Sequence, residues 1–273
     1  TYQGLRLNAV LSETDNRDAP VFLLLHGTLA HLEPQSRYDI TDIATTATRD
    51  GDGWKLNGIK GVVPNGATAD LVIVPARDDA ADGVTLFAVP AADLSCNAYR
   101  TVDGLRAAEI TLNDVSVDAD HILGEPGAGF APLDATIDDA TLAVCAEAVG
   151  IMRALTDKTV ESSKQRVQFG VPIGSFQALQ HRMVDMLMAC EQARSVLIWA
   201  VMTHAAGEDS KHAISSIKYL IGTAGQKVGE EAVQIHGGMG VTWDLDVAHF
   251  FKRLTVINRM FGNADWHLDR LAA

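Results

Sequence analysis

The sequence predicts an α+β fold in which a middle antiparallel β-barrel is followed by a C-terminal four-helix bundle. Three observations carry this expectation. Residues 28–125 are rich in Thr, Val, Asp and Gly, with alternating runs at 54–57 and 71–74, the period-two pattern of half-buried strands. Turn signals recur through the same stretch, at Asp50-Gly51-Asp52-Gly53, Asn57-Gly58, Asn65-Gly66 and Asp82-Gly83, residue types that tolerate the positive φ of hairpin turns. After the loop-like Gly124-Glu125-Pro126-Gly127-Ala128-Gly129, the hydrophobic period becomes helical and stays so to the end.

Taken in chain order, residues 1–27 come first. A short apolar run at 21–25 follows a polar stretch at 12–17, and no helix-length stripe is completed. The β domain then spans 28–126 and the helical domain 127–273. Four apolar stripes define its helices. The first runs from Leu142 through Cys145, Val149 and Met152 to Leu155; the second from Phe176 through Met183, Met186 and Cys190 to Leu197. The third runs from Ile214 through Ile217, Ile221 and Val228 to Ile235; the fourth from Val247 through Phe250, Leu254 and Ile257 to Phe261. Four amphipathic helices argue for a bundle.

The chain has 273 residues, 47% of them hydrophobic, enough for one large core or two smaller ones. A net charge of -13 disfavours nucleic acid and anionic membranes, which require clustered Lys and Arg. Cys96, Cys145 and Cys190 lack metal-ligand spacing, and the last two fall on apolar helix faces. A reducing cytoplasm is the compartment this implies. The run at 21–25 is too short and too poor in basic flanks for a signal peptide, and nothing approaches the length of a membrane span.

Two His-Gly pairs, His26-Gly27 after three leucines and His236-Gly237-Gly238, have the look of hydrolase oxyanion loops. No Gly-x-Ser-x-Gly elbow accompanies them, so that chemistry is set aside. Met183, Met186 and Met188 are read as core filler. The run Asp78-Asp79-Ala80-Ala81-Asp82 lacks the spacing of a cation loop and is read as a solvated hairpin.

Two segments ask for more than structure. In Arg166-Val167-Gln168-Phe169-Gly170-Val171-Pro172-Ile173-Gly174-Ser175-Phe176-Gln177, a helix hairpin accounts for the glycines and the proline. It leaves the arginine and the amides unexplained. An Arg with neighbouring Gln side chains can hold a pyrophosphate by charge-assisted hydrogen bonds, with the aromatic ring covering a planar heterocycle. In Gln234-Ile235-His236-Gly237-Gly238-Met239-Gly240 a helix end needs one glycine and has three, which opens the loop to close approach by a backbone or a cofactor.

Together these segments resemble the acyl-CoA dehydrogenase family, whose helical domain carries an Arg-x-Gln-Phe-Gly-x-Pro-Ile-x-x-Phe-Gln corner and a Gln-Ile-x-Gly-Gly-x-Gly loop. The middle domain agrees: Leu32-Glu33-Pro34 is similar to the family's Thr-Glu-Pro, Gly53-Trp54-Lys55-Leu56-Asn57-Gly58-Ile59-Lys60 to its signature hairpin, and 124–130 to its Gly-rich exit. Arg37-Tyr38-Asp39, 144–150, 180–186 and 246–263 further resemble the family's pimeloyl-CoA dehydrogenase small subunits, which implies a dicarboxylic acyl-CoA substrate. The resemblance covers 28–273. Family members begin with a helical domain of about a hundred residues, of which 1–27 would be a remnant.

The resemblance implies FAD, with Arg166, Gln168 and Phe169 on its pyrophosphate and adenine side, commonly across a subunit boundary, and with Phe176, Gln234, Gly237 and Gly238 completing that site. Asn263 and Asp265 would approach the flavin side. A cofactor shared between chains implies an oligomer. The family's reaction removes the α-proton of an acyl-CoA with a carboxylate while the β-hydrogen leaves as hydride, giving the trans-2-enoyl-CoA; electron-transferring flavoprotein is the family's electron acceptor.

This sequence departs from the family's pattern where the base belongs. The usual Glu is replaced by Phe261 in Arg259-Met260-Phe261-Gly262-Asn263. The alternative family location falls on Ala140, beside Asp138 and Asp139, and Asp139 is the candidate base. The structural reading of both aspartates is a first helical turn opposing the helix dipole. Val62-Val63-Pro64 stands where relatives have Trp-Ile-Thr, and Leu32 where they have Thr. Three readings stay open: a dehydrogenase using Asp139, a small subunit whose base comes from a homologous large subunit, and an acyl-CoA-binding or protein-binding module without turnover.

Overall fold

The computed structural model describes residues 26–272. The stretch 1–27, expected to be a domain remnant, lies outside the described residues except for its last two. The chain forms two compact units, the first ending at Ala135 and the second beginning at Thr136.

The first unit holds strands β1 (Gly27–Leu29), β2 (Thr46–Asp50), β3 (Gly53–Pro64), β4 (Leu71–Asp78), β5 (Gly83–Pro90), β6 (Ser95–Arg100), β7 (Arg106–Val117) and β8 (Ile122–Leu123). They lie in the order β6-β7-β3-β2-β4-β5-β8, with β1 added against β4. The expected antiparallel barrel is thus corrected on two counts. Both β1 and β2 pair with β4 in parallel, at 71–73 and 77–78 respectively, so the sheet is mixed; and among the described residues no pairing joins β6 to β8, so it is not closed. β4 can serve two parallel partners because each occupies a different end of it.

Alternation builds the core of this unit. Trp54, Leu56, Val72, Val74, Phe87 and Ile110 point inward and are buried, each contributing about 1.5–3 kcal/mol on transfer from water. Trp54 meets Phe87 edge to face at 5.9 Å. Asn57-Gly58 is not a turn: it lies inside β3 at a bulge against β7. Asn57 Nδ2 donates to Asp114 Oδ1, and the Asp114 N–H donates back to Asn57 Oδ1, both at 2.9 Å. The 78–82 loop is only partly solvated. Asp78 is buried, accepting from the Thr85 hydroxyl at 2.9 Å and from the Ala80 N–H at 3.0 Å.

Among the described residues, a charged pair lies in this unit's interior. Lys60 and Glu33 are both fully buried and 2.6 Å apart. Lys60 Nζ also donates to Pro75 O at 2.7 Å, while Glu33 accepts from the Ala44 and Thr45 N–H groups, the Thr45 hydroxyl and Gln35. Burial raises the Glu33 carboxyl, but Lys60 and these donors outweigh it and hold it at about 2. Burial pulls Lys60 down against the pull of Glu33; with so many donors on the carboxylate, the ionised pair is the state the geometry supports.

The second unit continues α1 (Phe130–Gln165), then a two-stranded ribbon of β9 (Val167–Gln168) and β10 (Val171–Pro172), then α2 (Gln177–Ala205), α3 (Lys211–His236), α4 (Asp246–Arg259) and α5 (Ala264–Ala272). The expected four-helix bundle is corrected to five helices: α1 to α4 carry the four stripes, and α5 follows a break in what reads as one continuous fourth stripe. Phe261 lies in that break, at φ 54°, where a helix cannot pass.

The stripes meet in one cluster around Cys145, Met152, Leu155, Met186, Ile217 and Ile257. Three glycines inside α3, Gly222, Gly225 and Gly229, cost about 1 kcal/mol each in helix propensity. Close approach requires two of them. A Cβ at Gly229 would lie 2.6 Å from the Phe251 ring, and one at Gly222 would lie 2.5 Å from Asn258 Oδ1 and 2.7 Å from Ala264 Cβ. Arg253 of α4 grips Glu147 of α1 with both arms, at 2.6 and 2.7 Å. Among the described residues, no helix is long and apolar enough to cross a membrane.

Candidate functional site

Arg166 follows α1 directly. Its N–H donates to Ser162 O at 3.0 Å and its carbonyl accepts from the Ile173 N–H at 2.8 Å, which closes the base of the ribbon. β9 and β10 pair Gln168 with Val171 and Val167 with Pro172. Only Phe169 and Gly170 remain for the turn, at φ 54° and 79°, the two positive values a two-residue primed turn requires. That turn lifts the Phe169 ring to 93% exposure, touching only the edge of Phe176 at 6.2 Å. Gln168 is exposed beside it, with its amide turned to Val167 O.

The guanidinium of Arg166 reaches across 70 residues of sequence to donate from Nη1 to His236 O at 2.9 Å. This carbonyl is the last of α3, where a cation complements the helix dipole. Gly237 follows at φ 64°, its N–H donating to Gln234 O. A Cβ on Gly237 would come within 3.3 Å of Arg166 Nη1, whereas one on Gly238 would meet open space. The arginine corner and the glycine loop, 70 residues apart in sequence, are therefore one place. It presents a guanidinium, two exposed glutamines at 168 and 234, an exposed aromatic ring and a loop stripped of side chains.

Asn263 and Asp265 lie elsewhere in this unit. Asn263 is the N-cap of α5, its Oδ1 accepting from the Trp266 N–H at 3.0 Å, and Asp265 is exposed in the first turn. The turn before them is held by two residues that the sequence reading missed. Lys218 of α3, fully buried, donates to Ile257 O at 3.0 Å, Asn258 O at 3.3 Å and Gly262 O at 2.5 Å. His267 Nε2 donates to Phe261 O at 2.9 Å. Burial lowers Lys218 to about 8 and His267 to about 3. A signal existed for the lysine, which interrupts the apolar Ile214, Ile217, Ile221 stripe.

Asp139 is not in a first turn. α1 begins at Phe130, so Asp138 and Asp139 stand more than two turns inside it, and the helix-dipole account does not apply to them. Asp139 is 70% exposed with Oδ1 at 2.7 Å from His204 Nε2, and His204 Nδ1 is 2.9 Å from the Ser210 hydroxyl. In the first unit, Leu32 O accepts from the Gly61 N–H at 2.8 Å, Val62 is half-exposed and Pro64 O accepts from the Thr28 hydroxyl at 2.6 Å. His31, adjoining Leu32, is drawn down to about 4 by burial and by the Lys60 charge. No group of three or more potential metal ligands occurs among the described residues.

Two family models match the chain: the acyl-CoA dehydrogenase middle domain over residues 28–115 and the acyl-CoA dehydrogenase C-terminal domain over 127–273. A short-chain specific acyl-CoA dehydrogenase of Megasphaera elsdenii is 33% identical over 235 residues, 83% of this chain and 61% of that protein. The chain thus spans about three fifths of the length of the curated relatives it matches. Among solved structures, PigA with FAD and proline superposes with a TM-score of 0.85 at 28% identity, over 91% of this chain and 67% of that one. A glutaryl-coenzyme A dehydrogenase in complex with glutaryl-CoA gives 0.84 at 27% identity, over 91% and 65%. With both of its units matched in order by the family's middle and C-terminal domains, the chain belongs to the acyl-CoA dehydrogenase family.

Proposed function

We propose that this chain takes part in the FAD-dependent α,β-dehydrogenation of an acyl-CoA thioester, as the small subunit of a heteromeric enzyme acting on a dicarboxylic, pimeloyl-like acyl group. The observation that carries the cofactor assignment is the Arg166–His236 hydrogen bond, which draws the arginine corner and the glycine loop together. The donor set fits a dinucleotide: a guanidinium and the Gln168 and Gln234 amides suit phosphate and adenine edges, the Phe169 ring suits a planar base, and Gly237 and Gly238 leave room for it. Phe176 supports the ring, and Asn263 and Asp265 are the candidates on the flavin side. Bound FAD would supply the hydride acceptor for the β-hydrogen. The glutaryl-CoA complex among the similar structures is in keeping with a dicarboxylic substrate.

The α-proton has to go to a carboxylate in a water-poor place. Phe261 has no basic atom. Asp139 is the carboxylate of this chain to test, but its exposure and its partner His204 do not supply such a place. A base from a homologous large subunit is the reading these facts favour, with electron-transferring flavoprotein as acceptor; a subunit that binds acyl-CoA without turnover is the second reading, favoured by the same Phe261.

The test is anaerobic titration with pimeloyl-CoA, following flavin absorbance, on the chain alone and co-expressed with a homologous large subunit. Bleaching in the complex alone is expected, and Arg166→Ala should lower the bound flavin. Bleaching of the lone chain, abolished by Asp139→Asn, would return the base to this subunit. Flavin-free protein in both preparations would overturn the cofactor assignment.

A further inference from the structure

The contact that claims Asp139 extends to a third residue. His204 stands in the last turn of α2, and its Nε2 lies 2.7 Å from Asp139 Oδ1 of α1. Its other ring nitrogen, Nδ1, lies 2.9 Å from the Ser210 hydroxyl. Ser210 returns to His204 because the chain reverses between α2 and α3, where the N–H of Gly207, at φ 71°, donates to His204 O at 3.1 Å. A carboxylate, an imidazole and a serine hydroxyl are thus joined in line by two hydrogen bonds, one of them across 65 residues of sequence.

With the imidazole neutral, the protons in this line have one arrangement. An ionised Asp139 can only accept, so it holds the ring hydrogen on Nε2. The Nδ1 lone pair then faces the Ser210 hydroxyl, which is the donor. This is the relation of orienting group, base and nucleophile. Two features of the helices agree with it. An imidazolium formed at His204 would lie at the C-terminal end of α2, where the helix dipole favours a cation. Ser210 stands at the N-cap of α3, yet its hydroxyl makes no capping hydrogen bond. It forgoes the cap's usual contribution of about 1 kcal/mol and turns to His204, while Asp209 Oδ1 accepts from the Lys211 N–H at 3.2 Å.

We propose that Asp139, His204 and Ser210 form a second reactive site, at which Ser210 takes the acyl group of an activated ester or thioester. Ser210 Oγ bonds to the carbonyl carbon and its proton passes to His204 Nδ1. The carbon–oxygen or carbon–sulfur bond then breaks, and the leaving alcohol or thiol carries that proton away. Water attacks the acyl-serine, giving its proton to His204, which returns it to Oγ as the carboxylic acid leaves. Ser210 is 6% exposed, the His204 side chain 32% and that of Asp139 70%. A carboxylate so open to solvent steadies the imidazolium less than a buried one, which restricts the site to good leaving groups and excludes amides. No residue of the arginine corner or the glycine loop enters this site.

Diisopropyl fluorophosphate tests it on the full chain, with no flavin or acyl-CoA added, so the outcome is separate from that of the dehydrogenase titration. Peptide mass mapping of the wild type should find one diisopropylphosphoryl group, on Ser210, with fluoride released. The same chain should hydrolyse p-nitrophenyl acetate, and Ser210→Ala should lose that turnover. His204→Gln should slow labelling about 100-fold. Asp139→Asn, a change at an exposed position that leaves the melting profile in place, should slow it by a smaller factor. Wild type that takes no label, a label on another serine, ester hydrolysis kept by Ser210→Ala, or labelling of Ser210 at an unchanged rate in Asp139→Asn and His204→Gln would each overturn the proposal.

Discussion

Phe261 sits in a backbone conformation that β-carbon-bearing residues rarely adopt, and the surroundings hold it there. Lys218 binds three carbonyls of the 257–262 segment and His267 binds a fourth. Replacing Lys218 by Met removes the buried donor to Asn258 O and Gly262 O, while Ile257 O keeps the Met260 N–H, so a loss of about 2–4 kcal/mol is expected in urea titration. His267 gives the region a pH dependence. Its imidazole is held neutral in the fold down to about 3, whereas in the unfolded chain it takes up a proton near the ordinary 6.5. The unfolded state thus binds more protons between those values, and stability falls as pH drops from about 6.5 towards 3, by about 1.4 kcal/mol per unit. His31, lowered to about 4 by burial, adds a slope of the same sign, so His267→Phe should remove one share of that part of the profile and leave the other in melts recorded from pH 7 to pH 4. The histidine was not legible in sequence, because its partner is a backbone carbonyl and any residue supplies one.

At the scale of elements, the ends of helices decide more than their middles. α3 ends in a carbonyl capped by an arginine from another helix's end, and Gly237 beyond it has φ 64° and that guanidinium within 3.3 Å of a Cβ. Gly222 and Gly229 inside α3 are likewise set by close approach. Gly222→Val would drive branches into Asn258 and Ala264 and push α5 away; a drop in melting temperature with loss of the α5 contribution to amide protection is the expected outcome, by about 2–3 kcal/mol for overpacking. The ribbon is more tolerant. Gly170→Ala meets no neighbouring atom, so its cost is that of the positive φ alone, about 1 kcal/mol, and chiefly loosens the placement of Phe169. Element types were legible from periodicity, since the stripes fall on α1 to α4 as read. The break at 260–263 was not, because Phe261 continues the apolar spacing of α4 while its backbone leaves the helix.

At the scale of the molecule, the described residues form a hydrophobic cluster in each unit, and each unit has its own buried lysine. Lys60 is matched by a carboxylate, Lys218 by carbonyls alone. Glu33→Gln removes the counter-charge and should cost about 3–5 kcal/mol. Because Glu33 and Lys218 share neither a cluster nor a hydrogen-bond partner, Glu33→Gln and Lys218→Met should add in a double-mutant cycle to within about 0.5 kcal/mol. A larger interaction energy would mean that the two cores are coupled.

By itself the sequence determined the kinds of element, their order, the change from strand to helix after residue 129 and, through two glycine-rich motifs, the family. Those features are written in local periodicity and in residue types that only certain backbones admit. Tertiary structure decided the rest: that β4 takes parallel partners and the sheet stays open, that Asn57-Gly58 is a bulge, and that a fifth helix follows Phe261. It also decided that Arg166 reaches His236 and that Asp139 is claimed by His204. Each of these depends on which distant group a donor or a strand edge meets, and a pairing across 70 residues leaves no local trace in either partner.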